Sequence, residues 1–378
     1  MSPRTALAGA SLTALVAGCA PCVDADPDDV DGDKRGPFTS AWVDVVATQF
    51  QSDGETGSVV IPAEEPCVAL ALRAETAHGV CFQPSSVVDG EGRVVVDGRS
   101  AGASCRDCEL RVSVAAEAGV FLLPAEASRF QPETGLSLRF ARVDCMTLTP
   151  LVAPEDLPTL RVAAQRIETV PDLATIDLRF LLAESSILSG DEARQEELVA
   201  HLAQELASGG LVPRLVETHA LDALPADLRF HAGDHAALAA LLAEAPPRAE
   251  TTLDVVFGGC LLYDDPIFGP PRALNGYTPR IPGGAGPADA VFMPGLDCFA
   301  QGSAPKDLPV RAQAHFLAHE IGHYLGLYHA VEEDGLADPL DDTGPDNIMH
   351  PRPELATAVG FSPSQGRVMR MHPAARAR

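Results

Sequence analysis

The chain has 378 residues, 27 Lys+Arg against 53 Asp+Glu, and a formal net charge of −26. The length suggests about two domains, and 46% hydrophobic with 21% charged residues describes a globular chain and excludes disorder as its overall state. The acidic balance excludes nucleic acid and anionic lipid surfaces as main partners, because like charges repel where no basic patch neutralises the phosphates.

The first predicted element is a targeting signal. Met1 to Arg4 is positive, and residues 6–17 are apolar and small. That stretch falls short of the ~20 residues a bilayer span needs, so residues 1–18 read as a signal peptide. Leu15-Val16-Ala17-Gly18-Cys19 resembles the bacterial lipobox, whose cysteine is lipidated and becomes the mature N-terminus. The resemblance implies Cys19 as the lipidation site and a membrane reached only through this N-terminal anchor. Ala20 in place of Asp favours an outer-membrane lipoprotein, so the expected location is the cell envelope or the extracellular space. Residues 19–37 form an acidic tether, with six Asp between positions 24 and 33. A calcium loop at 29–33 is the weaker reading there, because the bidentate Glu of an EF-hand is missing.

With Cys19 set aside, eight cysteines remain: Cys22, Cys67, Cys81, Cys105, Cys108, Cys145, Cys260 and Cys298. An even number in an exported chain favours disulfides. The simplest grouping pairs Cys260 with Cys298 and leaves six in the first half, with their partners open.

Residues 38–150 carry short β-rich runs at 42–47, 57–61, 68–72, 93–96, 110–114 and 136–143, separated by Gly, Pro and Asp. They predict an all-β, sandwich-like domain without a catalytic constellation. Pro150, Pro154 and Pro158 mark a stiff connector. Beyond it, strands are expected at 175–182, 211–216, 253–257 and 290–293, and helices at 192–206 and 235–242. Asp307-Leu308-Pro309 reads as a helix start with Asp as the cap.

That last helix carries the chemistry. His319 and His323 stand four residues apart, so both imidazoles leave one helical face and can share a tetrahedral metal. Glu320 places a carboxylate beside a metal-held water. Gly326 permits positive φ, which turns the chain back and returns His329 as a third ligand. Three neutral histidines leave a fourth position open, as catalytic zinc requires. The His-Glu-x-x-His spacing alone arises by chance in ~2% of such chains, and the added Gly and His lower that to roughly one in ten thousand.

Residues 319–329 match the extended zinc motif of the metzincin metallopeptidases, and Asn347-Ile348-Met349-His350-Pro351 resembles that clan's methionine turn. The order of the segments from Gly326 to Met371 is most similar to pappalysin-type members. The resemblance covers about 160–373. It implies an α+β metzincin-like catalytic domain over 160–373, with an active-site helix and a closing C-terminal helix. It implies a zinc metalloendopeptidase acting on protein or peptide substrate, with Zn2+ on His319, His323 and His329. Glu320 becomes the catalytic general base and Met349 the Met-turn residue beneath the metal. Pro351 departs from the Tyr that many metzincins carry two residues after that methionine, so no tyrosine stabiliser is assigned. The edge strand near 275–278 is expected to align substrate in extended form. Glu332, Glu333, Asp334, Asp338, Asp341, Asp342 and Asp346 follow the third histidine, either as a structural Ca2+ site or as a solvated loop. Two rival readings stand beside the peptidase: a surface-binding lipoprotein with a vestigial catalytic half, and an enzyme with Glu as third ligand.

Overall fold

Strand pairing organises the chain into one large antiparallel sheet followed by a smaller, mostly parallel one. The computed structural model describes residues 42–378, apart from 63–66, 78, 98–113, 125–133, 146, 148, 153–155, 223, 232–234, 265–270, 300–305, 333–334, 336, 345 and 356–359. The expected signal peptide, Cys19, the tether, Cys22, Cys105, Cys108, residues 110–113, Glu333 and Asp334 lie outside the described residues.

The first sheet contains β1 (Val43–Gln49), β2 (Val59–Ile61), β3 (Ala69–Glu75), β4 (Cys81–Asp89), β5 (Val94–Asp97), β6 (Ala115–Ala116), β7 (Ala118–Pro124), β8 (Leu136–Val143) and β9 (Thr159–Ile167). They pair in the order β1-β9-β3-β7-β6-β4-β8-β2, with β5 against β4. The expected all-β, sandwich-like domain is built from one continuous sheet. Leu70, Leu72, Phe82, Phe121, Phe140 and Leu160, all on its strands, belong to one buried cluster. A sheet that buries one face against its own residues has to curl. Alternate residues Ala69, Ala71, Leu122 and Ile167 face the other way and join the core of the second half. The described residues accordingly fall within one compact unit.

The second half contains β10 (Ala174–Leu182), α1 (Glu192–Leu206), β11 (Leu211–Ala220), β12 (Leu228–Phe230), α2 (His235–Ala243), β13 (Thr252–Phe257), β14 (Leu261–Tyr263), β15 (Arg272–Ala273) and β16 (Val291–Met293). After these come β17 (Leu296–Asp297), β18 (Lys306–Asp307), α3 (Val310–Tyr324), α4 (Pro363–Arg370) and β19 (Ala375–Ala377). The parallel order is β11-β10-β13-β16, with β19 antiparallel to the start of β10. Phe180, Val255 and Met293 face α1 and α3, while Leu181, Val256 and Phe292 face the opposite cluster around Phe230 and Leu238. Burial on both faces explains the apolar runs at 180–182, 255–257 and 291–293.

Disulfides join Cys81 to Cys145 and Cys260 to Cys298. Among the described residues no helix is long and apolar enough to cross a membrane. The start of α3 differs from expectation. Pro309, not Asp307, occupies the N-cap position, and its carbonyl accepts the first helical bond from Gln313 N–H at 3.0 Å. Asp307 is held in β18 against Leu296, too far back along the chain to cap.

Candidate metal centre

α3 brings His319 and His323 to one face, and its ending delivers the third histidine. Gly326 has φ +105°, and the Leu327 N–H donates back to Gly322 O at 2.8 Å, so the chain reverses at the helix terminus. His319, His323 and His329 then converge, with one possible ligand atom from each within 4.8 Å of the others. The first two are buried and the third half-buried.

Each imidazole is oriented by its other nitrogen. His319 Nδ1–H donates to Ile348 O at 2.7 Å, and His323 Nδ1–H donates to Leu327 O at 2.8 Å. His329 Nδ1–H donates to Glu332 Oε2 at 2.8 Å. The hydrogen-bond network thus assigns the tautomer, leaving an Nε2 lone pair on every ring directed at a common point. His323 Nε2 and His329 Nε2 lie only 3.2 Å apart with no proton between them. Two lone pairs at that distance repel unless a cation sits between, and two nitrogens on tetrahedral zinc are expected about 3.3 Å apart. Burial, followed by the neighbouring His329, pushes His319 down to about 3, and burial carries His323 well below its ordinary value. Both rings are neutral near pH 7, the form a metal needs. The donor set fits zinc.

Glu320 is buried beside the triad, and burial pushes its carboxyl up to about 7 against the opposing hydrogen bond from Thr278. Thr278 Oγ1 lies 2.7 Å from Glu320 Oε2 and 3.0 Å from the Glu320 carbonyl oxygen. Met349 is fully buried beneath α3, at Gly322: a Cβ there would stand 2.6 Å from Met349 Sδ. The turn carrying it is pinned by Asn347, whose Oδ1 accepts from Met349 N–H at 2.7 Å and whose side-chain amide donates to Gln365 Oε1 at 2.8 Å. Gln365 belongs to α4 and closes its capping box with Ser362.

His350 is half-buried and turned to Arg352, with its Nδ1 accepting from the Arg352 N–H at 2.9 Å. His315 lies between Glu205 of α1 and the Pro353 carbonyl, and the Glu205 hydrogen bond raises it above the ordinary histidine value. Among the described residues the histidine triad is the one converging metal-ligand group. Three of the acidic residues after His329 have partners of their own. Glu332 orients His329, Asp338 accepts from Leu340 N–H, and Asp342 accepts from Ser362 Oγ and Ser364 N–H at the start of α4.

Thr278, the carbonyls of Ile348 and Leu327, and Glu332 as an imidazole partner are not marked by any local pattern; long-range folding alone brings the first two to the site. A separate cavity of about 360 Å³ is lined by Trp42, Arg73, Arg248, Tyr324 and His372 among others and contains none of the triad. Its guanidinium groups are already engaged: Arg73 with Glu75 and Glu250, Arg248 with the carbonyls of Thr252 and Gly284.

No family model matches the sequence, and no curated protein matches it. Likenesses among solved structures include a chaperone–substrate complex, at 17% identity and TM-score 0.29 over 50% of this chain and 32% of that one. Metalloproteinase-II from Bacteroides fragilis aligns at 13% identity and TM-score 0.34 over 56% of this chain and 63% of that one. Archaemetzincin from Methanopyrus kandleri aligns at 17% identity and TM-score 0.27, over 53% and 88%. The chain thus spans less than two thirds of either of the first two. TM-scores this low establish no shared fold, and the chemistry is read from the site itself.

Proposed function

We propose that this chain is an exported zinc-dependent endopeptidase of metzincin type, most like the pappalysin group, anchored to the cell envelope through Cys19. The observation that carries the reading is the convergence of three Nε2 lone pairs beside a buried Glu320. Bound at His319, His323 and His329, zinc would supply Lewis acidity and lower the pKa of a water toward ~7.

The remaining chemistry belongs to the chain. Glu320 takes the proton of the attacking water at a carboxylate oxygen and returns it to the departing amine. A substrate lies extended along 275–278. Tyr277 and Phe292 exchange both backbone hydrogen bonds at 2.9 Å, so the N–H and C=O groups of Gly276 and Thr278 point to the opposite edge. Met349 supplies an apolar floor. The two disulfides among the described residues support export, because such bonds persist in oxidising compartments. Calcium has no part in this reading, since the histidine triad is the one converging metal-ligand group among the described residues.

Replacing Glu320 separates the peptidase from a vestigial, surface-binding alternative. Glu320→Ala is expected to keep one zinc per chain and lose cleavage of unfolded casein by at least about a hundredfold. Wild-type protein loaded with one zinc that cleaves no member of a peptide library would sink the proposal.

A further inference from the structure

The segment that would hold the substrate also holds the base. Thr278 Oγ1 reaches Glu320 Oε2 at 2.7 Å, and Gly276, two residues back on the same side, abuts the rest of that side chain. A Cβ at position 276 would stand 2.4 Å from Glu320 Cγ and 2.7 Å from Oε1. One carboxylate oxygen is therefore tied by a hydroxyl and the other passes over a glycine, which fixes the carboxyl plane from both ends. Tyr277, between them, points away and stacks on Phe230 with ring centroids 4.1 Å apart. The edge strand expected at 275–278 is not a regular strand: among the described residues, the segment is joined to the sheet by one isolated bridge, from Tyr277 to Phe292. A segment with one bridge is a weakly held element, and pairing along its outer edge would stiffen it.

Resting on the peptidase reading, we propose that Thr278 is a positioning residue for Glu320, and that an extended peptide pairing with the Gly276–Thr278 edge sets the base as it binds. Substrate length is then read in kcat as well as in KM. Binding energy from remote residues of the peptide is used to hold the reacting group in place, the arrangement by which truncated substrates lose turnover. The hydroxyl is the necessary part. Serine can replace it and valine, of the same shape, cannot.

The test compares wild type, Thr278→Ser and Thr278→Val. A tetrapeptide and an octapeptide of common sequence give kcat and KM. Calorimetry of a peptide hydroxamate, a metal chelator whose hydroxyl proton needs a carboxylate acceptor, gives a readout independent of turnover. Zinc content and thermal unfolding are measured alongside. Thr278→Val should hold zinc and unfold like wild type, yet lose about tenfold in kcat on the octapeptide. It should lose the gain from tetrapeptide to octapeptide, and bind the hydroxamate about tenfold more weakly. Thr278→Ser should restore all three. Wild-type kcat and hydroxamate affinity in Thr278→Val would overturn the proposal, as would a deficit that serine does not repair. Zinc-loaded wild type that binds hydroxamate in a Thr278-dependent way but cleaves nothing would sink the peptidase reading while leaving the positioning role standing. No hydroxamate binding by the zinc-loaded wild type would overturn both.

Discussion

Glu332 contributes to the metal centre without reaching its middle. Its carboxylate accepts the Nδ1 proton of His329, the half-buried member of the triad, and so decides which nitrogen faces the metal. His319 and His323 receive the same service from fixed backbone carbonyls within the turn and the helix ending. His329 depends on a side chain, which makes it the ligand most open to perturbation. Removal of such a partner typically costs 10–100-fold in metal affinity. Glu332→Ala should therefore bind zinc about 10–100-fold more weakly in competition with a chelator, and casein cleavage should recover when zinc is supplied in excess. Unchanged affinity would mean that the helix ending alone orients the ring.

At the scale of elements, the stability of the centre depends on how closely α3 meets the turn at 347–350. Gly322 is what permits that approach. Gly322→Ala would place a methyl 2.6 Å from the sulfur of a fully buried Met349 and 3.2 Å from Phe361 Cε1. Overpacking of that kind costs about 1–3 kcal/mol. The expected result is a lower denaturation midpoint together with weaker zinc retention, because Ile348, next to the displaced methionine, supplies the carbonyl that orients His319. Chemical denaturation with and without zinc measures both.

The elements most legible in the sequence are those whose pattern is local. α1 has the predicted bounds because Asp191 caps it, its side chain accepting from Arg194 N–H at 3.0 Å, and Gly210 ends the following turn in the left-handed conformation. The zinc motif is legible for the same reason, since helical periodicity plus one glycine places all three histidines. Nothing local marks β4, because Pro84 interrupts it; the pairing with β8 is shifted between Pro84 and Ser86, and the strand continues past the proline. β9 follows a proline-rich connector, yet it returns to pair with both β1 and β3. Such long-range pairing leaves no trace in neighbouring residues. The contact of Thr278 with Glu320 has no local signature for the same reason, since it spans 42 positions.

Across the whole molecule, one buried histidine couples the fold to pH. His372 is 1% exposed and is held neutral: its Nε2–H donates to Gly283 O and its Nδ1 accepts from Ala374 N–H, each at 3.1 Å. Burial pushes it down to about 4, from an ordinary value of 6.5. A depressed histidine favours the neutral ring in the folded state. Its contribution is complete above pH ~6.5 and is lost as the pH falls toward ~4, because the unfolded chain takes up the proton first. A shift of that size corresponds to about 3 kcal/mol. The stability difference between wild type and His372→Gln should therefore be large at pH 7.5 and shrink by pH 4.5, measured by denaturant unfolding with the metal chelated throughout. An equal difference at both values would show that the ring contributes by shape alone.

The route of the chain through the first sheet bears on how such a protein could be matured. β9 lies after the prolines at 150, 154 and 158, yet is inserted between β1 and β3, and the reverse face of that sheet shares its core with β10 and α3. Arg280, from the second half, adds a buried clamp, bonding Asp289 and the carbonyls of Ala116 and Ala118. A cut in the connector would sever the polypeptide without releasing either piece, since the downstream fragment supplies an interior strand to the upstream one. Removal of the first half as a detachable propeptide is thus disfavoured by topology, and any control of activity would have to operate in an intact or nicked but undivided particle.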